Sequence, residues 1–177
     1  MTRTDFLPQL SAYLDVEPSL EKVLGWAEGS EWKDALVKTL REEDDIELSK
    51  SVRDASVIGL KKHSDEINSF IYQFVEDYAN RNNLENLELE SLSVVKYTVG
   101  QFFTEHSDGG PNLPRRLSMV LYLNDDYTGG EICFTRFRST FKPAAKTLLL
   151  FPPTEEYAHA AQPVVDGVKY VLVGFWR

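Results

Sequence analysis

The chain has one cysteine in 177 residues, Cys133. No intramolecular disulfide can form, and a reducing, cytoplasmic setting is expected. Cys133 lies in the apolar run Ile132-Cys133-Phe134 and reads as a small buried hydrophobe. Positive charge is also short: 19 lysines and arginines stand against 28 aspartates and glutamates, a formal net charge of −9. That balance argues against a phosphate-tracking surface, so general nucleic-acid binding, or demethylation of a nucleic acid, is not expected. No apolar run approaches the length of a membrane span. The start, Met1-Thr2-Arg3-Thr4-Asp5, lacks the basic and apolar regions of a signal peptide. There is no repeat and no low-complexity linker. Histidine is scarce too, with His63, His106 and His159 the only three.

What is present is ordinary for a water-soluble domain, 42% apolar and 27% charged residues. The length suffices for one core without staples, and a single domain over 1–177 is expected. Leu20, Val23, Leu24, Ala27, Leu36, Val37 and Leu40 recur near helical spacing over residues 19–40, with Gly25 and Gly29 dividing the segment and Trp26 and Trp32 as packing anchors. Arg41 to Asp45 reads as a solvated charged loop. Val52, Ala55, Val57 and Ile58 give residues 51–60 a strand-like alternation. From Ser64, a candidate cap, Ile67, Phe70, Ile71, Phe74, Val75 and Tyr78 form the stripe of a long helix that ends at Asn80-Arg81-Asn82-Asn83. His63, just before it, reads as a surface histidine. Residues 1–92 are thus expected to be mainly helical support.

After Leu92 the texture changes. Short apolar runs at 93–98, 101–105, 117–123, 131–134, 147–151, 157–159 and 168–176 are separated by turn residues, which predicts a sandwich or barrel with helices packed on one face. Within this part His106-Ser107-Asp108 ends one predicted strand and His159 lies in another. Strand residues i and i+2 share a face, and two imidazoles with one carboxylate can hold one face of an octahedral iron(II) ion. The same residues also suit a turn with an acceptor before Gly109-Gly110 and a packed histidine.

The order of landmarks weighs between these. Tyr97 and Gly100 precede His106 and Asp108; Arg116-Leu117-Ser118, Tyr122-Leu123-Asn124 and Gly129-Gly130-Glu131 follow; Phe151-Pro152 precedes His159, and Gly167 and Lys169 to Leu172 close the series. In this order and spacing the chain resembles the prolyl 4-hydroxylase-like family of iron(II)/2-oxoglutarate-dependent oxygenases, over roughly its last half.

The resemblance implies an α+β, mainly β fold, a double-stranded β-helix (jelly-roll) barrel over 93–177 with the N-terminal helices on one face. It implies iron(II) held by His106, Asp108 and His159, with 2-oxoglutarate and dioxygen as co-substrates and ascorbate in support. Lys169 would pair with the distal carboxylate of 2-oxoglutarate, Tyr122 would donate to the same group, and Tyr97 would reach the co-substrate or an iron-bound water. Arg116 becomes a candidate catalytic residue, and Arg53 and Ser56 become candidate substrate-side residues, beside the plainer reading of Arg53 as a surface cation. Arg115, Arg136 and Arg138 read for the most part as solvated turn cations, with some of this cluster open to the reading that it faces the substrate opening. Because Asp108 supplies the carboxylate that halogenating relatives lack, hydroxylation is implied. A prolyl residue of a peptide or protein is the leading substrate, ahead of a free amino acid or small metabolite, with a non-catalytic jelly-roll binding module as the rival. One departure stands out: where the family usually has tryptophan six residues after the basic residue, Phe175 stands here and Trp176 follows.

Overall fold

The strand Leu117–Tyr122 shows no face to water: all six residues of LSMVLY are buried. A strand of this kind must be covered on both sides, and the surrounding architecture does so. A computed structural model describes residues 2–35, 38–40, 46–48 and 50–177. In it the strand lies inside an eight-stranded antiparallel sheet, in the order Thr2–Leu7, Leu10–Leu14, Leu148–Phe151, Leu117–Tyr122, Lys169–Trp176, Leu89–Tyr97, Ser56–Gly59 and Lys33–Asp34. A second sheet of five strands faces it, in the order Ser139–Phe141, Ile132–Phe134, His159–Ala161, Phe102–His106 and Arg53–Asp54.

Two cores follow from the alternation of each strand. Met119 and Leu121, with Val94, Leu148, Leu150 and Leu172, point outward against helix α1 (Leu20–Ala27) and helix α2 (Ser64–Arg81), meeting Val23 of the first and Ile67, Ile71 and Phe74 of the second. Val120 and Tyr122, with Val95, Leu149 and Val171, point the other way onto Ile132 and Phe134 of the smaller sheet. Each of these large side chains contributes on the order of 1.5–3 kcal/mol by leaving water. The predicted mainly β fold, with two sheets face to face and helices on one side, is the fold observed.

The N-terminal part departs from expectation. Among the described residues it is not mainly helical: α1 and α2 alternate with strands that join both sheets. Helix α1 stops at Ala27, before Gly29 with φ +74°, and the predicted second helical stretch gives way to strands. Lys33 and Asp34 pair with Val57 and Ser56, and Lys38–Leu40 pairs with Ile46–Leu48. Cross-strand partners override helical periodicity here. Leu36, Val37 and the charged stretch 41–45 lie outside the described residues.

The hairpin of Thr2–Leu7 and Leu10–Leu14 had no counterpart in the sequence reading. It extends the larger sheet through Leu10–Leu14, whose Ala12 stands opposite Leu149. Its bonds to α2 are specific. The Tyr13 hydroxyl donates to Asp77 at 2.7 Å, Arg81 donates to the Tyr13 oxygen, and the Tyr78 hydroxyl donates to the Gln9 carbonyl at 2.8 Å.

Smaller corrections concern ends. Ser64 is the first residue of α2 and not its cap, because a turn of 3₁₀ helix, Lys61–His63, leads into it. His63 stacks on Trp26 with ring centroids 6.0 Å apart. Residues 155–157 form a 3₁₀ turn, so the following strand starts at His159. Cys133 is half-buried, between Thr140 and Ala160. No helix among the described residues is long and apolar enough to cross a membrane.

Candidate metal and co-substrate site

His106 ends its strand and stands directly across from His159 on the neighbouring one. The chain then turns at Ser107, and Asp108 points back between the two rings. His106 Nε2 lies 3.5 Å from Asp108 Oδ1, and His159 Nε2 lies 3.9 Å from Oδ2. One donor atom from each of the three falls within 4.8 Å of the others.

Three local features hold this arrangement. His106 Nδ1 is 2.9 Å from the carbonyl of Thr104, and His159 Nδ1 is 3.0 Å from that of Tyr157. Each Nδ1–H donates to the carbonyl two residues back, which leaves each Nε2 lone pair facing Asp108. The turn is fixed from outside by Gly109, whose N–H donates to the Pro153 carbonyl at 2.8 Å; a Cβ there would meet that oxygen at 2.8 Å. Arg115 donates to the Asp108 carbonyl at 3.0 Å.

The electrostatics suit a cation. Burial works to raise the Asp108 carboxyl, but the His159 and His106 imidazoles and the Ser118 hydroxyl outweigh it and bring it down to about 2. Burial pushes His159 down to about 4. At neutral pH Asp108 is ionised and His159 neutral, the states in which both coordinate metal. Two imidazole nitrogens and one carboxylate oxygen, mutually oriented, form the donor set of a 2-His-1-carboxylate site, and the residues present fit iron(II).

The three donors line a cavity of about 300 Å³ between the sheets. Its floor is Lys169, 3% exposed, paired in register with Tyr97 on the adjacent strand. The ammonium donates to the Gly130 carbonyl at 2.7 Å and lies 5.3 and 5.2 Å from the ring centroids of Tyr97 and Tyr122. Gly130 has φ +66°, and a Cβ on it would crowd Tyr127 at 3.0 Å and the Lys169 stem at 3.2 Å. Burial pulls Lys169 down to about 7, against the pull of Glu131 in the other direction. Burial also raises the Tyr97 and Tyr122 phenols, which stay protonated. The floor is thus a cation short of a counter-charge between two hydroxyl-bearing rings.

Around the rest of the cavity stand Phe103, stacked on His106 with centroids 3.5 Å apart, and Val57, Leu113, Val173, Phe175 and the side chains of Arg53 and Arg115. Of the candidate residues, the structure brings Tyr97, His106, Asp108, Tyr122, His159 and Lys169 together, with Arg53 beside them. It does not bring Arg116 or Ser56. Residues 114–116 precede the strand, and Arg116 turns outward to donate to the Glu85 carbonyl while its N–H bonds to Trp176. Ser56 sits opposite Lys96 and faces away, whereas Val57, opposite Val95, faces in. Of the arginines grouped as turn cations, Arg115 lines the cavity. Phe175 lines the cavity, whereas Trp176 is buried in the outer core.

Residues 92–177 match the model of the 2OG-Fe(II) oxygenase superfamily. The chain is similar to an Acanthamoeba polyphaga mimivirus protein named "Putative prolyl 4-hydroxylase", with 24% identity over 151 residues, 72% of this chain and 60% of that protein. This chain therefore spans under two thirds of that relative. Among solved structures it is similar to a Pseudomonas putida prolyl-4-hydroxylase, at a TM-score of 0.73 and 19% identity, covering 96% of this chain and 92% of the other. It is also similar to a Trichoplax adhaerens prolyl hydroxylase in complex with a hypoxia inducible factor peptide fragment, at a TM-score of 0.69 and 17% identity, covering 95% and 83%. The cluster of His106, Asp108 and His159 and the buried Lys169 all lie in the segment, residues 92–177, that matches the model of the 2OG-Fe(II) oxygenase superfamily.

Proposed function

We propose that the protein is an iron(II)- and 2-oxoglutarate-dependent dioxygenase that hydroxylates an unactivated C–H bond, with a prolyl residue of a peptide or protein as the leading substrate. The observation that carries this reading is the convergence of His106, Asp108 and His159 on one point of a cavity whose floor is a buried lysine. The mimivirus relative's name and the peptide-bound Trichoplax structure support the substrate class.

His106, Asp108 and His159 would hold the metal, their combined charge of −1 leaving iron(II) partly unneutralised. When bound, iron(II) with 2-oxoglutarate and dioxygen supplies the oxidant that inserts one oxygen atom into the substrate and releases succinate and carbon dioxide. Lys169 would meet the distal carboxylate of 2-oxoglutarate. A carboxylate entering this floor restores the charge that burial removes from the ammonium, so each group offsets the other's desolvation. The Tyr122 hydroxyl would donate to the same carboxylate, and that of Tyr97 would orient the metal-proximal end. The apolar walls, Val57, Val95, Val173 and Phe103, would exclude water from the carbon being oxidised. The two sheets and their helices would act as one unit over residues 1–177.

Anaerobic titration of the metal-free protein with iron(II) and 2-oxoglutarate tests the reading through the visible metal-to-ligand charge-transfer band. The band should form in the wild type, vanish in His106→Ala and require much more 2-oxoglutarate in Lys169→Ala. A folded wild type that gives no band would overturn the assignment and favour a binding module.

A further inference from the structure

Two guanidiniums line the cavity, and only one is paired with a carboxylate. Arg115 gives Nε and one Nη to the Glu90 carboxylate at 2.9 and 2.7 Å and its other Nη to the Asp108 carbonyl, and its plane covers the Phe175 ring at 3.7 Å. Its charge is met. Arg53 differs: its Nε is buried without a hydrogen-bond partner, its Cζ stands 4.6 Å over the Phe103 ring, and its polar neighbour is the Tyr97 phenol, a neutral group within hydrogen-bond reach of the guanidinium. Among the described residues that line the cavity the only carboxylate is Asp108, which is turned to the two histidines.

Leaving a buried N–H unpaired is costly, and native interiors rarely do so. The site looks incomplete in a particular way. Arg53, Phe103 and His106 form a layered stack, since Phe103 lies directly on the His106 ring. The Arg53 guanidinium and the His106 imidazole thus share the Phe103 ring as a neighbour. The charges point the same way. With iron(II), Asp108, doubly ionised 2-oxoglutarate and a protonated Lys169 in place, the charges at the metal end cancel, and Glu90 cancels Arg115. Among the described residues Arg53 is left over, a cation with no carboxylate partner in the cavity of a protein whose formal net charge is −9.

We propose that Arg53 determines specificity at this site and that the substrate presents it a carboxylate. The group would be the side chain of Asp or Glu beside the oxidised residue of a peptide, or the α-carboxylate of a small amino acid. The carboxylate would form charge-assisted hydrogen bonds with the guanidinium, while the C–H bond to be oxidised rests against Val57, Val173 and Phe103. The proposal rests on the oxygenase reading above.

The test uses matched probes: peptides with a central proline flanked by Glu or by Gln, and L-proline against L-prolinamide. Binding is measured by calorimetry on the full chain loaded with manganese(II) and 2-oxoglutarate, and oxygen gain by mass spectrometry on the iron(II) protein. The wild type should bind the acidic member of one pair at least tenfold more tightly than its amide. Arg53→Gln should erase that preference while 2-oxoglutarate affinity and Tm hold, and Arg53→Lys should keep part of it. Which pair shows the preference identifies the source of the carboxylate. The proposal is overturned if a wild type that binds 2-oxoglutarate shows no acidic preference in either pair, or if the preference survives in Arg53→Gln. It is also overturned if Arg53→Gln loses 2-oxoglutarate affinity as far as probe affinity, which would make the guanidinium a co-substrate ligand. A wild type that does not bind 2-oxoglutarate would instead remove the oxygenase reading.

Discussion

Lys169 and Tyr97 stand opposite each other on adjacent antiparallel strands, with the ammonium 5.3 Å from the centre of the phenol ring and, among the described residues, only the Gly130 carbonyl as its hydrogen-bond partner. Burial lowers this lysine to about 7 from an ordinary 10.5. Below pH 7 the folded protein holds the charge and bears its full desolvation cost. Between pH 7 and 10.5 the unfolded chain keeps a proton that the folded one has released, so stability rises with pH across that window and levels off above it. Thermal melts of the metal- and co-substrate-free protein should show Tm climbing from pH 7 to 9. In Lys169→Met this climb should be absent, and the variant should be more stable at pH 7 by a few kcal/mol. A Tm that falls over the same range in the wild type would contradict the buried cation.

Gly109→Ala should damage the metal site without touching a ligand. Its Cβ would lie 2.8 Å from the Pro153 carbonyl that its own N–H bonds, so the His106–Asp108 turn must move. A loss of about 1–3 kcal/mol in stability is expected, with at least a tenfold loss of cobalt(II) affinity followed by its visible spectrum. Unchanged affinity would show that the turn has slack.

Tyr157→Phe should separate stability from metal binding. The Tyr157 hydroxyl donates to the Pro8 carbonyl, whereas its backbone carbonyl orients His159. Removing only the hydroxyl should cost about 1–3 kcal/mol and raise hydrogen exchange in the N-terminal hairpin. Cobalt(II) affinity should stay within twofold of wild type.

Glu90→Gln releases the second guanidinium. The Glu90–Arg115 pair is partly exposed, so stability should fall by no more than about 1 kcal/mol. Affinity for the acidic probes should rise severalfold, because two free cations then face the cavity. A fall would mean that Arg115 must stay tied to Glu90 for the cavity to keep its shape.

The candidate metal cluster was legible in part: His106 and Asp108 stand two residues apart at a strand end, but Pro153 and Arg115 fix the turn that aims Asp108, and only the order of landmarks pointed to His159. Lys169 was legible from the same series of landmarks. Arg116 misled for a definable reason. Counting back in twos from Tyr122, Val120 and Ser118 puts 116 on the cavity side, but the strand begins at Leu117 and the alternation does not extend to the bend before it. Ser56 failed by one residue of register, since Val57 faces inward. The N-terminal hairpin left almost no trace, because Thr2 to Asp5 form an exposed edge strand with little apolar content. What fixes it lies far off, at Leu148–Leu150 and α2. The second half of the predicted helix was lost in the same way, to a strand partner more than twenty residues away.

That distant pairing sets an order on assembly. As the chain leaves the ribosome, residues 10–14 come out early but complete their sheet only against residues 148–150, which at about 5–20 residues per second arrive on the order of ten seconds later. For that interval the hairpin is a pair of open edges with no template, exposed to pairing with other chains. The long-range closure also makes folding slow for a protein of this size. Cells making this protein quickly would meet the hairpin first as an aggregation hazard and only afterwards as part of the sheet.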